Sequence, residues 1–318
     1  MKAYICTGYG GPEKLQLVET SKPIPADSEI LIRIKATAIN SGDVRIRRAD
    51  PWLVRLMFGF QQPRLKILGM SFAGVVEQVG KNVQNYKPGD EVFGLSESKM
   101  GTYAEYLAID NQAALTLKPA NVSFEEAVAI PFGAHTALHF SRQAELKPGQ
   151  NILIYGASGA VGTALIQMAK HSGARVTAVC STSNLEMVQK LGADEVVDYT
   201  QTKLGAIQAK FEVVCDTTDK VAVQDLAQLV TSNGTLILVA ALIRGALQGM
   251  IVARRYRFKL IVGTAKVTAQ DMEYIAKMTQ EGQLKPVIDR VYPFNQMIEA
   301  QTYVETGHKR GNVVMKVG

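Results

Sequence analysis

Residues 151–199, NILIYGASGAVGTALIQMAKHSGARVTAVCSTSNLEMVQKLGADEVVDY, hold the feature that most restricts what this chain can fold into. An apolar run at 151–155 is of strand type, and a glycine-rich turn follows it. From Ala160 onward Val161, Leu165, Met168 and Ala169 recur at helical spacing, and residues 175–180 return to a β-branched run. The unit therefore reads strand, turn, helix, strand. Aligned on its last two glycines, the turn Gly156-Ala157-Ser158-Gly159-Ala160-Val161-Gly162 fits G-x-G-x-x-G, with Ala157 in the place of the first glycine. Gly159 lets the backbone approach a pyrophosphate, and Gly162 lets the helix pack close to the sheet. The helix N-terminus supplies free N–H donors and a partial positive charge. Ser158, Gly159, Ala160 and Val161 are thus candidate cofactor-binding residues. The alternative is a tight strand–helix turn with no ligand.

The second strand of the unit bears on which dinucleotide is bound. An NAD site offers an Asp or Glu about 20 residues on, which accepts hydrogen bonds from the ribose 2′-hydroxyl. Here the strand runs into Cys180-Ser181-Thr182-Ser183-Asn184, and the first acid, Glu186, lies beyond it in the next helix. A carboxylate would repel a 2′-phosphate, whereas hydroxyl and amide donors can bond it. The reading points to NADPH, although no arginine stands at the strand end. Lys190 lies further along the same segment, and nothing in the sequence brings it to the site.

With 318 residues, 47% hydrophobic and 20% charged, the chain has room for two domains with ordinary cores. No apolar run reaches the ~18 residues of a membrane-spanning helix. The opening MKAYICTGYG passes into a strand-like segment without a signal-peptide pattern, so a cytoplasmic location is expected. Cys6, Cys180 and Cys215 are scattered, which supports neither a disulfide framework nor a cysteine zinc site. The net charge is +6, and the densest basic cluster is Arg254-Arg255-Tyr256-Arg257-Phe258-Lys259. A solvated loop or a partner contact explains that cluster more simply than nucleic acid as the main partner. A peripheral contact of the 244–259 region with anionic lipid is an open alternative.

Residues 1–119 read as a β-rich domain with many turns, including strands at 3–6, 15–18, 29–38, 72–79, 91–94 and 107–109. A basic, apolar segment at 44–60 is expected to be partly helical. From Ser123 the pattern alternates helix and strand. Ser123-Phe124-Glu125-Glu126 has the form of a capping box, and a further helix covers 135–143. Strands follow at 211–215, 235–240 and 260–265. A helix at 219–230 is ended by Asn233-Gly234, and another covers 270–280. Six strands with crossover helices give an α/β fold with a doubly wound parallel sheet over 120–285. Residues 286–318 are expected to rejoin 1–119.

Further motifs are Asn40-Ser41-Gly42-Asp43, Gly74-Val75-Val76-Glu77-Gln78-Val79-Gly80, Lys87-Pro88-Gly89-Asp90-Glu91-Val92-Phe93-Gly94 and Gly101-Thr102-Tyr103-Ala104-Glu105-Tyr106. Leu191-Gly192-Ala193-Asp194 and Gly307-His308-Lys309-Arg310-Gly311 come later. With the dinucleotide turn, this ordered set resembles the zinc-independent quinone oxidoreductase (zeta-crystallin-like) branch of the medium-chain dehydrogenase/reductase superfamily, over essentially the whole length. The resemblance implies a GroES-like domain, a Rossmann NADP(H)-binding domain, a cleft between them and a homodimer. It also shows departures from the zinc alcohol dehydrogenases, which carry a zinc-binding Cys where this chain has Asn40 and Gly-His-Glu where it has Gly69-Met70-Ser71. Their four-cysteine lobe is missing. A catalytic zinc needs three ligands and an open position, and no such set is seen here, so no metal is expected.

What the resemblance implies for chemistry is hydride transfer from NADPH to a quinone or an α,β-unsaturated carbonyl, with the chain supplying orientation and exclusion of water. Asn40 would face the nicotinamide, orienting the ring or hydrogen-bonding the acceptor; the alternative is an asparagine that only fixes a loop. Asp43 is read as a loop or cap residue. Thr136 should touch the cofactor, Ser181 and Asn184 should meet the adenosine phosphate, and Tyr199 should bond or pack beside it. Ala240 and Ala241 should approach the nicotinamide half. His135 and His139 are read as helix-packing residues over a relay or metal pair. Arg45, Arg47, Arg48, Arg55 and Trp52 either line the cleft mouth or are solvated. The competing functional reading is a non-catalytic NADPH-binding scaffold.

Overall fold

The computed structural model describes residues 1–239 and 243–318, apart from the side chains of Ser98, Ile243, Arg244 and Ala246. Strands β1 (Lys2–Cys6), β2 (Leu15–Glu19) and β3 (Glu29–Ile39) lead into helices α1 (Ser41–Arg48) and α2 (Val54–Phe58). Strands β4 (Ser71–Val79), β5 (Glu91–Leu95), β6 (Tyr106–Asp110) and β7 (Ala114–Leu117) follow, then helices α3 (Phe124–Val128) and α4 (Pro131–Ala144). Alternation then sets in with β8 (Asn151–Tyr155), α5 (Ala160–His171), β9 (Arg175–Cys180), α6 (Leu185–Lys190), β10 (Glu195–Asp198) and β11 (Phe211–Asp216). The chain continues through α7 (Val223–Ala227), β12 (Val230–Leu238), α8 (Ile243–Tyr256), β13 (Lys259–Val262) and α9 (Ala269–Gln280). It ends with β14 (Ile288–Pro293), α10 (Met297–Glu305) and β15 (Asn312–Lys316).

Two compact units result, one of Met1–Phe132, Thr268–Glu281 and Pro286–Gly318, the other of Gly133–Val267 and Gly282–Lys285. In the first, a seven-stranded sheet runs β14-β15-β3-β4-β5-β7, with β6 also paired to β3. Every pair in it is antiparallel except β14 with β15. Its core includes Ile30, Ile32, Ile34, Phe72, Val76 and Val92, the alternating inward side chains of the long central strands. The second unit is a parallel sheet in the order β10-β9-β8-β11-β12-β13. The order reverses between β8 and β11, where a doubly wound sheet opens a crevice at its carboxyl ends.

The unit boundaries differ from the expected 1–119/286–318 and 120–285 division. Thr268 and Asp271 exchange hydrogen bonds in a capping box that starts α9, and α9 buries Met272, Ile275 and Met278. The helix packs on β7, and Asn121 Nδ2 donates to Thr279 O at 3.1 Å, so α9 belongs with the β-rich unit. An apolar stripe fixes which face of a helix is buried, not which sheet buries it. Gly282–Lys285 returns to the parallel unit through Gln167, whose Nε2 donates to Lys285 O and whose Oε1 accepts Lys285 N. The expected helix at 219–230 is also shorter, at Val223–Ala227. Asn233, at φ 66°, and Gly234 lie within an irregular stretch of β12 and do not end a helix.

One expected surface residue is instead central to the core. Arg47 is fully buried: Nη1 donates to Gly10 O at 2.6 Å, Nη2 pairs with Glu305, and Nε reaches Gln301 Oε1 at 3.4 Å. It therefore does not line a cleft mouth; the arginine-rich run of α1 hides its inward member because local spacing cannot show a partner in α10. Breaking a buried pair leaves an uncompensated charge. Arg47→Ala is expected to cost about 3 kcal/mol in urea unfolding, and an unchanged midpoint would contradict this account.

Candidate active site

The turn at 156–162 is built by contacts within the parallel unit. Gly156 has φ 76°, and Gly156 N and Ala157 N both donate to Val179 O at 3.1 Å. A Cβ on Gly156 would overlap Thr217 and Thr218, and one on Gly162 would overlap Gly156 O and the Ala157 backbone. Those two glycines are thus demanded by the fold. Gly159 is different: among the described residues a Cβ there would meet only Gly156 O, at an ordinary 3.5 Å. Its φ of −79° and ψ of 176° suit any residue. Gly159 is also the N-cap of α5 and offers no side-chain cap, so the first-turn N–H groups have no side-chain cap acceptor. Open space beside uncapped helix donators of N–H bonds is what a bound pyrophosphate requires.

Loop residues after β11 complete this turn. Thr217 Oγ1 donates toward Tyr155 O and Gly156 O, each at 3.1 Å. Asp216 holds the loop by accepting Thr218 N and Thr218 Oγ1, both at 2.8 Å. Burial pushes the Asp216 carboxyl up, against these hydrogen bonds. Sequence reading missed Thr217 and Thr218, since only the pairing of β11 beside β8 brings them to Gly156.

At the end of β9, Asn184 is buried and its Nδ2 donates to Ser181 Oγ at 2.9 Å. Ser181 is the more displayed of the two, and a bond accepted from Asn184 leaves its own proton to give outward. Asn184 Oδ1 is buried without a hydrogen-bond partner among the described residues. Glu186 is tied to Lys190 at 2.5 Å, so that lysine serves its own helix. A second acid, missed in sequence, stands at this end: Asp198 pairs in register with Cys180. Its oxygens accept Thr182 Oγ1 at 2.5 Å, Thr200 N at 2.9 Å and Thr200 Oγ1 at 2.7 Å. The Thr182 and Thr200 hydroxyls hold that carboxyl below its usual range. Tyr199 is 43% exposed, its ring 6.0 Å from that of Tyr155. Thr136 and His135 are buried in α4, and His139 Nε2 lies 2.8 Å from Gln143 Nε2. Ala240 and Ala241 lie outside the described residues.

In the β-rich unit, Asn40 follows β3 and is the N-cap of α1. It is 2% exposed; its N–H donates to Asp43 Oδ2 at 3.0 Å and its Nδ2 to Ser71 Oγ at 2.9 Å. Asp43 is therefore a cap residue, but a buried one. Burial pushes its carboxyl up to about 7 despite the bonds from Asn40 and Tyr103. Among the described residues, no group of three or more His, Cys, Asp or Glu is placed to hold a metal ion. The cysteines are buried, and burial raises all three thiols, Cys180 to about 11, so none is a thiolate nucleophile at neutral pH.

Comparison with known proteins places this arrangement. Residues 26–119 match the profile of the alcohol dehydrogenase GroES-like domain, and residues 191–315 that of a zinc-binding dehydrogenase family. The chain is 34% identical to a 2-methylene-furan-3-one reductase of Solanum lycopersicum, across 99% of this chain and 79% of that one. The chain belongs to the medium-chain dehydrogenase/reductase superfamily, in its zeta-crystallin-like branch. Another relative in the superfamily is the chloroplastic NADPH-dependent alkenal/one oxidoreductase of Arabidopsis thaliana, 32% identical across 99% of this chain and 79% of that one. Among solved structures, the quinone oxidoreductase from Coxiella burnetii superposes with a TM-score of 0.92 at 27% identity, covering 100% of this chain and 99% of that one.

Proposed function

We propose that this protein is an oxidoreductase that uses NADPH to reduce a quinone or an α,β-unsaturated carbonyl compound, without a metal. The observation that carries the reading is the dinucleotide turn, where among the described residues no atom requires Gly159 to lack a side chain and the α5 N-terminus has no side-chain cap. The relatives bearing reductase and oxidoreductase names favour catalysis over a binding scaffold. NADPH, when bound, supplies the hydride that reduces the acceptor. The chain's own work is to hold and orient. The 158–161 backbone binds the pyrophosphate, and Ser181, kept in place by Asn184, donates to the 2′-phosphate. Tyr199 packs beside the adenosine, and Thr136 meets the cofactor from α4. Asn40 has its side-chain oxygen engaged by the Asp43 N–H in the α1 capping box and one amide hydrogen left after bonding Ser71, enough to orient the carboxamide or to stabilise charge on the acceptor oxygen. A homodimer working in the cytoplasm completes the reading. Peripheral lipid contact through α8 is kept beside it, on the exposed Leu247, Met250 and Ile251 that precede Arg254 and Arg255.

The test is the initial rate of reduced-nicotinamide oxidation with NADPH and with NADH. Acceptors are a benzoquinone, an alkenal and an aryl enone, each assayed with and without chelator. NADPH oxidation with a quinone or enone that resists chelator supports the proposal. Tight NADPH binding without turnover of any acceptor overturns it in favour of the scaffold. Ser181→Asp checks the phosphate contact. The new carboxylate repels a 2′-phosphate and accepts a ribose hydroxyl, so the NADPH-to-NADH ratio of kcat/KM should fall at least about tenfold. An unchanged ratio would remove Ser181 from the site.

A further inference from the structure

Beneath Asn40 runs a connected chain of buried polar groups that cofactor binding leaves unexplained. Asp43 Oδ2 accepts two hydrogen bonds, from Asn40 N at 3.0 Å and from the Tyr103 hydroxyl at 2.9 Å. Tyr103 in turn accepts a bond from Gln301 Nε2 at 3.1 Å, and Gln301 Oε1 faces Arg47 Nε at 3.4 Å. Arg47 is anchored on Gly10 O and Glu305. Asp43, Tyr103 and Arg47 are fully buried and Gln301 is 1% exposed. The chain thus ties the β3–α1 junction to α10, more than 250 positions away for Arg47 and Gln301.

A helix cap alone does not call for this. An N-cap partner works as well at the surface, where water serves the second oxygen. Here Asp43 Oδ1 is buried with no hydrogen-bond partner among the described residues, a standing cost in a place where a neutral side chain would fit. What the arrangement secures is the conformation of Asn40. Its main chain is held by Asp43 and its side chain by Ser71, so both ends of a short side chain are fixed. A group held at both ends on a β-sheet scaffold keeps its amide plane when a ligand arrives, and pre-organisation of that kind acts mainly on the chemical step.

We propose that Asp43, braced by Tyr103 and Gln301, is a positioning residue that sets the Asn40 amide for hydride transfer. The proposal rests on the role given to Asn40 above. Asp43 acts through Asn40 and touches neither cofactor nor acceptor.

The experiment compares wild type with Asn40→Ala, Asp43→Ala, Asp43→Asn and Tyr103→Phe. It measures kcat and KM with benzoquinone, the Kd for NADPH, the emission of bound NADPH (which reports immobilisation of the nicotinamide) and Tm. In Asp43→Ala, kcat should fall about tenfold or more while the Kd stays within about threefold, with emission shifted toward that of free NADPH. Asp43→Asn keeps an acceptor oxygen for both donors and should recover kcat to within about threefold of wild type. Should Asp43→Ala not fold, Tyr103→Phe removes a single oxygen and should lower kcat by about fivefold in the same pattern. Variants that lower Tm but leave kcat and emission at wild-type values overturn the proposal, as does Asn40→Ala with unchanged kcat and emission. If wild type binds NADPH yet reduces no acceptor, the functional reading fails by itself. The emission series then still decides whether Asp43 sets Asn40.

Discussion

Gly159→Asp should abolish useful NADPH binding while leaving the fold intact or slightly more stable. Position 159 is the N-cap of α5, with extended backbone angles and, among the described residues, no non-neighbouring atom closer than 3.5 Å to a new Cβ. Aspartate is a preferred N-cap residue, accepting first-turn N–H groups and favoured by the helix dipole, so the apoprotein should gain up to about 1 kcal/mol. The same carboxylate would occupy the donors and oppose the charge of a pyrophosphate. Like charges brought together cost several kcal/mol, so the Kd for NADPH should rise by about 100-fold or more. Isothermal titration and thermal unfolding of the apoprotein, run side by side, read both effects. Retained affinity would show that the pyrophosphate does not lie at this turn. Loss of stability would show that Gly159 serves the fold, as Gly156 and Gly162 do.

The second large effect is a pH dependence of stability centred on Asp43. Burial lifts this carboxyl from an ordinary 3.8 to about 7, with Tyr103 and the Asn40 main chain bonded to it and the Arg47 guanidinium in the same chain of contacts. Folding therefore binds a proton at Asp43 across that interval. The stability it contributes is complete below the unfolded value and is lost as pH rises through about 7. The difference corresponds to about 4 kcal/mol between the two protonation states. Asp43→Asn resembles the neutral form at every pH. Its stability relative to wild type should improve by up to about 4 kcal/mol between about pH 4 and about pH 8, measured by urea unfolding at each pH. Parallel curves for the two proteins would mean that Asp43 stays ionised in the fold.

Much of the parallel unit was legible in the sequence because its signals are local. The switch from period 2 to period 3.6 around 156–162 specifies strand, turn and helix within a few residues of each other. The Ser123 to Glu126 box marks a helix start by itself, and the structure forms both of its bonds. Once strands alternate with helices, right-handed crossovers leave few ways to order them. The observed order, β10-β9-β8-β11-β12-β13, is the one expected of two such halves. Family likeness then supplied Asn40 and Tyr199, which no period or spacing distinguishes.

The rest depended on which elements meet. Asp198 stands beside the end of β9 only because β10 pairs there in register, and Thr217 and Thr218 reach Gly156 only because β11 lies next to β8. Asn184, expected to meet the adenosine phosphate, is buried with its Nδ2 bonded to Ser181 Oγ, a partnership local spacing does not announce. Arg47, one of several arginines in α1, is drawn inside by Glu305 and Gln301 of α10. By itself the sequence determined the strand–turn–helix units, their caps and the glycines that the turn demands, since each follows from backbone sterics over a handful of neighbours. Only the tertiary structure decided which sheet α9 covers and which carboxyls are buried or bonded. Those outcomes depend on contacts between residues far apart in the chain, and the desolvation and hydrogen bonding that set a side chain's charge exist only once those contacts form.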